Sequence, residues 1–167
     1  MKSADYWKEK LKLASHPEGG YFREIYRSKE MIPANDLPRR YRGSRCFSTS
    51  IYYLLEASEI SVFHRIRSDE IFHFYDGSPL MLYMIDKEGK LTTSVMGDNP
   101  DNGEKLQVLV PSETWLGARV MEGGVYTLAG CTVSPGFDFN DFEIGVRKEL
   151  LLSYPHHSTI IEELTRH

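Results

Sequence analysis

The chain has 167 residues, of which 41% are hydrophobic and 26% charged, with a formal net charge of -4. This length suits one domain with a buried core, and the acidic balance argues against a nucleic acid polymer or an anionic membrane as the main partner. The start, Met1-Lys2-Ser3-Ala4-Asp5-Tyr6, reads as too polar for a signal peptide, and no apolar run approaches the ~20 residues that span a bilayer, so the expected location is the cytoplasm.

Ser3 is placed to cap a helix in which Trp7, Leu11 and Ala14 recur at helical spacing, ending at His16-Pro17. Glu18-Gly19-Gly20 reads as a turn, and residues 21–27 as a strand with aromatics and Ile25 interleaved with charge. Residues 29–44 carry Pro33, Asn35-Asp36, Pro38 and an Arg39-Arg40-Tyr41-Arg42 run, and read as a long surface loop.

From Cys46 onward the text turns to strands. They are expected over residues 47–55, 60–66, 70–75, 80–85 and 90–96, with turns at Arg67-Ser68-Asp69, Asp76-Gly77 and Asp86-Lys87-Glu88-Gly89. Residues 80–85 are apolar on both alternating faces, which predicts a central strand or a subunit contact. After a polar loop, three more strands read over 106–110, 114–121 and 125–133, and Thr159 with Glu162 predicts a capping box for a short final helix. The two cysteines, Cys46 and Cys131, lie in apolar strand text and are expected as buried, reduced thiols. Many short strands flanked by a helix at each end predict an all-β jelly roll or barrel, in one domain over residues 1–167.

His64, Ile66, Glu70 and Gly77 resemble the first motif of the cupin barrels, which runs His, one residue, His, three or four residues, Glu, six residues, Gly. Ile66 stands where the second histidine belongs. Strand alternation explains the spacing: residues 64 and 66 point the same way, and Glu70 enters the next strand facing the same interior. The second cupin motif places a histidine five residues after a proline; here Pro111 is kept and Leu116 holds that position. Two of four expected ligands are thus apolar, and a catalytic transition metal normally needs three protein ligands. No metal and no other cofactor is expected.

A closer resemblance rests on His16-Pro17-Glu18-Gly19-Gly20-Tyr21-Phe22-Arg23-Glu24, on residues 68–77, and on residues 131–139. Together they resemble the cupin-5-type family of small proteins, over about residues 5–160. The resemblance implies a cupin jelly-roll barrel with short N- and C-terminal helices, a homodimer, and a shape related to sugar-nucleotide epimerases of the deoxysugar pathway. It implies no settled reaction, and a family is not a function.

The expected catalytic residues are His64, Glu70 and Tyr52. The resemblance to those epimerases implies His64 as general base, a role that suits an imidazole. Glu70 would orient it, and Tyr52 or Tyr75 would be the acid. Among Arg23, Arg27, Arg45, Arg65 and Arg67, one or two at the barrel mouth would select an anionic ligand, since guanidinium forks match carboxylate and phosphate; Arg23 and Arg45 are the first choices. His73 and Tyr75 are expected to contact ligand on the other sheet face, and Tyr52, Phe72, Phe74, Trp115 and Phe137 to stack a planar ring. His156-His157 reads as surface loop. The expected function is binding of a small polar or ring-bearing metabolite, sugar- or nucleotide-like, inside the barrel, with metal-free isomerisation or epimerisation. A non-catalytic ligand-binding or sensor module is the alternative, and a metal-dependent oxygenase the third.

Overall fold

The computed structural model describes residues 2–166. Helix α1 (Ala4–Leu11) opens the chain, with Ser3 Oγ accepting a hydrogen bond from the Tyr6 amide at 3.1 Å. It stops earlier than the spacing of Ala14 predicts, because Lys12 turns left-handed (φ 52°) and caps the helix through its own N–H. Ala14–Ser15 then forms β1, paired antiparallel with β2 (Tyr21–Arg27).

The 29–44 loop holds one short strand, β3 (Met31–Ile32), zipped to β4 (Arg45–Cys46). Eight strands follow the predicted text closely: β5 (Thr49–Glu56), β6 (Ser61–Arg65), β7 (Asp69–Gly77), β8 (Leu80–Ile85), β9 (Leu91–Met96), β10 (Gln107–Val110), β11 (Trp115–Val120) and β12 (Tyr126–Ser134); a short unpredicted strand, β13 (Glu143–Ile144), pairs with β6. Two helices end the chain, α2 (Arg147–Ser153) and α3 (Ser158–Glu163). The first of these is not legible in the pattern. The expected capping box does not form: His157 occupies the cap position of α3 and makes no side-chain cap bond. Among the described residues no helix is long and apolar enough to cross a membrane.

Two sheets form the jelly roll. One runs β1-β2-β5-β12-β7-β10 and the other β13-β6-β11-β8-β9. Alternation decides what fills the space between them. Tyr53 and Leu55 of β5, Phe72 of β7, Leu80 and Leu82 of β8, and Leu116 of β11 turn inward and join one buried cluster. The opposite parity faces out. Phe63, Ile85 and Trp115 are buried under α2 and α3 with Leu150, Ile161 and Leu164, while Leu54 and Leu128 lie under α1. Strand β8 is apolar on both faces because Leu80, Leu82 and Met84 turn into the core between the sheets while Tyr83 and Ile85 pack under the C-terminal helices.

Candidate functional site

At one end of the barrel the apolar filling stops and a cavity of about 70 Å³ remains. Its walls are Phe22, Ile51, Tyr53, Ile66, Phe72, Val133, Phe137, Phe139 and Phe142, with His16, Glu18, His64, Glu70 and Cys131 as the polar and ionisable lining and Glu24 and Arg27 beside them. Phe139 lines the cavity while 55% exposed, which marks the mouth. A dry apolar cavity of ~150 Å³ holds one benzene, so this one admits a small group, and any larger ligand must project past Phe139.

Glu18 organises the polar end. It stands in the turn before β2, where Gly19 and Gly20 take φ values of +113° and +73°. A side chain at Gly19 would run into the Ile60 carbonyl oxygen, so the turn packs directly on the chain entering β6. The Val62 amide donates to the Glu18 carbonyl at 2.9 Å and fixes the two segments together. From there the Glu18 carboxylate reaches His64 Nε2 at 3.0 Å and accepts the Ser61 hydroxyl at 3.1 Å. His64 Nδ1 lies 2.8 Å from the Val62 carbonyl oxygen. Both ring nitrogens therefore face acceptors, the arrangement of a doubly protonated imidazolium.

The electrostatics agree. Burial works against a charge on His64, but Glu18, the Val62 carbonyl and Glu70 outweigh it and push its pKa up to about 9. Burial likewise works against ionised Glu18, yet the charge and hydrogen bond of His64, with His16 and Ser61, hold it below the usual carboxylate value. Glu70 has no such partner. Burial first and the Glu18 charge second push it up to about 7, against the pull of His64 and the Cys131 thiol. His16 stays neutral, because burial lowers its pKa and its Nδ1 accepts the Glu18 amide at 3.3 Å. Cys131 is driven well above its ordinary value by burial, then by Glu70 and Glu18, so it is a thiol.

Of the residues expected at the site, the fold brings His64, Glu70 and Phe137 into this cavity, with Phe72. The partner of His64 is Glu18 rather than Glu70. Tyr52 faces outward, and its neighbour Tyr53 points in, because β5 presents the odd-numbered side chains to the interior. Tyr75 meets Tyr52 edge-on at 6.1 Å on that outer face, and His73, which shares the parity of Tyr75 on β7, lies 3.1 Å from the Thr132 hydroxyl. Arg23 is exposed and donates to the Leu11 carbonyl. Arg45 is buried in a bidentate pair with Asp141 at 2.6 and 2.7 Å. Trp115 packs under the C-terminal helices, with the Arg65 guanidinium 4.4 Å from its ring centre. Glu18, His16, Tyr53, Phe139 and Phe142 had no assigned role.

A resident metal does not fit these residues. Ile66 lines the cavity and Leu116 sits directly opposite His64 in the β6–β11 ladder, so the two substituted motif positions are indeed beside the histidine and carry no donor. His64 Nε2 is engaged by Glu18. Among the described residues no group of three or more His, Cys, Asp or Glu is placed to hold a metal ion.

Comparison with known proteins points the same way as the fold. A family model described as "Cupin superfamily (DUF985)" matches residues 5–145. An uncharacterized protein from Saccharomyces cerevisiae is 30% identical over 138 residues, 77% of this chain and 68% of the yeast protein. The crystal structure of a protein from Shewanella oneidensis is 39% identical, with a TM-score of 0.89 over 99% of both chains. A hypothetical protein from Leishmania major is 32% identical, with a TM-score of 0.91 over 99% of this chain and 100% of its own. Oxalate decarboxylase from Bacillus subtilis, at 15% identity and a TM-score of 0.54 over 90% of this chain and 36% of that one, shares the fold alone.

Proposed function

We propose that this chain, which belongs to the DUF985 family of the cupin superfamily, binds a small polar or ring-bearing metabolite at the barrel mouth. One polar group of the ligand enters between His64 and Glu70, and its ring rests against Phe137, Phe139 and Phe142. One observation carries this reading. A buried Glu18–His64 ion pair and a second carboxyl, Glu70, share one enclosed, aromatic-walled cavity. Buried ionisable groups are costly, and they cluster at functional sites lining a cleft.

The acid–base roles follow from protonation state. His64 rests as an imidazolium, so at neutral pH it is the acid form that faces the ligand, and it favours negative charge developing on a ligand oxygen. Glu70, with a pKa near 7, is populated in both forms and is the group able to take a proton from a ligand carbon and return it. Return of that proton to the neighbouring carbon is an isomerisation; an epimerisation needs a proton delivered to the opposite face of the same carbon, for which the His64 imidazolium is the donor in this cavity. A binding-only role has its own support, since both N–H groups of His64 already have acceptors, Val62 and Glu18.

Ligand-observed NMR in D2O tests both. Small cyclic hydroxy acids and free sugars are screened against the native protein, His64→Ala and Glu70→Gln. The reading requires binders whose affinity falls at least tenfold in both variants. Exchange of a ligand C–H for deuterium, lost in Glu70→Gln, assigns catalysis; binding without exchange assigns the sensor role. Unchanged affinity in both variants removes the cavity from consideration.

A further inference from the structure

Beside the barrel mouth lies a second concavity of about 470 Å³, which shares Ile66 and Phe142 with the cavity as common walls. Its other lining includes five arginines, Arg39, Arg40 and Arg42 from the loop before β4, and Arg65 and Arg67 from the end of β6 and the turn after it. The acids in the cleft are Glu113, Asp141 and Glu143. Asp141 is already matched by buried Arg45 behind the cleft, and Glu143 by Arg65 at 2.7 Å. The cleft is therefore positive in a chain whose net charge is -4.

The arginines are placed rather than scattered. Arg40 Nε donates to the Arg67 carbonyl at 2.7 Å, and Arg67 Nη1 donates to the Arg40 carbonyl. This reciprocal clasp holds two like charges side by side with main-chain oxygens as acceptors, and Arg67 comes no closer to a carboxylate than 3.8 Å, at Asp141. Among the described residues the side chains of Arg39 and Arg42 make no hydrogen bond or ion pair, and both are exposed in the same cleft. With Asp141 and Glu143 matched, Glu113 is the one carboxylate left in the cleft for Arg39, Arg40, Arg42 and Arg67, and a bound anion relieves the repulsion that remains among them.

We propose that this cleft is a subsite for a phosphate or diphosphate group. A single carboxylate satisfies one guanidinium fork, whereas a phosphoryl group offers three oxygens and up to two charges to several forks at once. The inference rests on the cavity reading for one feature only, that the ligand's other end reaches past Phe142 and Ile66 into the barrel. It names the substrate class as a small phosphorylated metabolite.

Calorimetric titration with inorganic pyrophosphate tests it, because pyrophosphate needs no cavity. One saturable site is expected, weakened at least tenfold in Arg39→Ala/Arg42→Ala, whose exposed side chains have no structural partner to lose. Arg23→Ala, an exposed arginine outside the cleft, is expected to bind as the native protein does. Citrate, a polycarboxylate of comparable charge, is expected to bind more weakly. Non-saturable heats, equal affinity in the double variant, equal weakening in Arg23→Ala, or citrate binding as tightly as pyrophosphate would each overturn the assignment. A negative result here alongside ring probes that still need His64 and Glu70 rejects the subsite and leaves the cavity reading standing.

Discussion

Glu18 and His64, drawn from a turn and from a strand far apart in the chain, meet through a 3.0 Å contact in the barrel interior, with side chains 8% and 4% exposed. Breaking such a pair leaves an uncompensated buried charge, at a cost of about 3–5 kcal/mol, while replacing both partners by apolar groups is often neutral. Glu18→Gln is therefore expected to lower stability by that order in urea melts at pH 7. Glu18→Leu/His64→Leu should recover most of the loss. Single and double variants equally destabilised would mean that the pair is not the source of the cost.

The turn that presents Glu18 depends on glycine. Gly19→Ala places a Cβ at φ +113° and against the Ile60 carbonyl oxygen, and strained backbone of this kind costs about 1–3 kcal/mol. The expected result is a drop in Tm of several degrees together with a lowered His64 pKa, since Glu18 shifts with the turn. A Tm loss with an unaltered histidine titration would show that the turn and the ion pair are independent.

The cluster sets a direction for pH dependence. His64 is raised from 6.5 to about 9, so its contribution is complete below pH 6.5 and lost as pH rises through 9. Glu70 is raised from 4.5 to about 7, so its penalty appears as pH rises from 4.5 through 7. Glu18 is lowered, so its contribution holds above pH 4.5 and disappears as pH falls through its folded value. Of the other ionisable groups at the cavity, His16 is lowered and so is neutral above pH 6.5, Cys131 and Tyr53 are raised by burial and stay protonated across this range, and Glu24 is paired with Arg27. Stability from this cluster is thus highest on the acid side of neutrality. Glu70→Gln should match the native Tm near pH 5 and exceed it above pH 7, and a variant less stable at both pH values would contradict the raised Glu70 pKa.

Metal content is a separate check. The apolar side chains of Ile66 and Leu116 beside His64 predict less than about a tenth of an equivalent of iron, manganese, nickel or zinc after purification without chelator. Near-stoichiometric metal that leaves on His64→Ala would overturn the donor argument.

Most of the barrel was legible in the sequence, because period-two alternation and turn residues mark strands locally. The interior face of each strand was only partly legible. Alternation separates Tyr52 from Tyr53 and Trp115 from Leu116 but does not say which parity faces the core. The motif spacing fixed that parity for His64 and Glu70, while nothing fixed it for β5. Glu18 was visible within the Pro17-Glu18-Gly19-Gly20 turn, yet a turn has no periodicity to aim a side chain, and its contact with β6 is long-range. Helix α2 escaped because Val146, at its N-cap, gives no start signal. The loop arginines read as solvated charge, since their convergence with Arg65 and Arg67 is produced only by the tertiary fold.

Glu18 holds His64 as an imidazolium inside the barrel cavity. Histidine-selective 15N NMR of the native protein across pH 5–10 measures this directly. One histidine is expected with both ring nitrogens protonated at pH 7.5, titrating at about 9 and assigned by its loss in His64→Ala. A His64 that is neutral at pH 7.5 and titrates near 6.5 would contradict it.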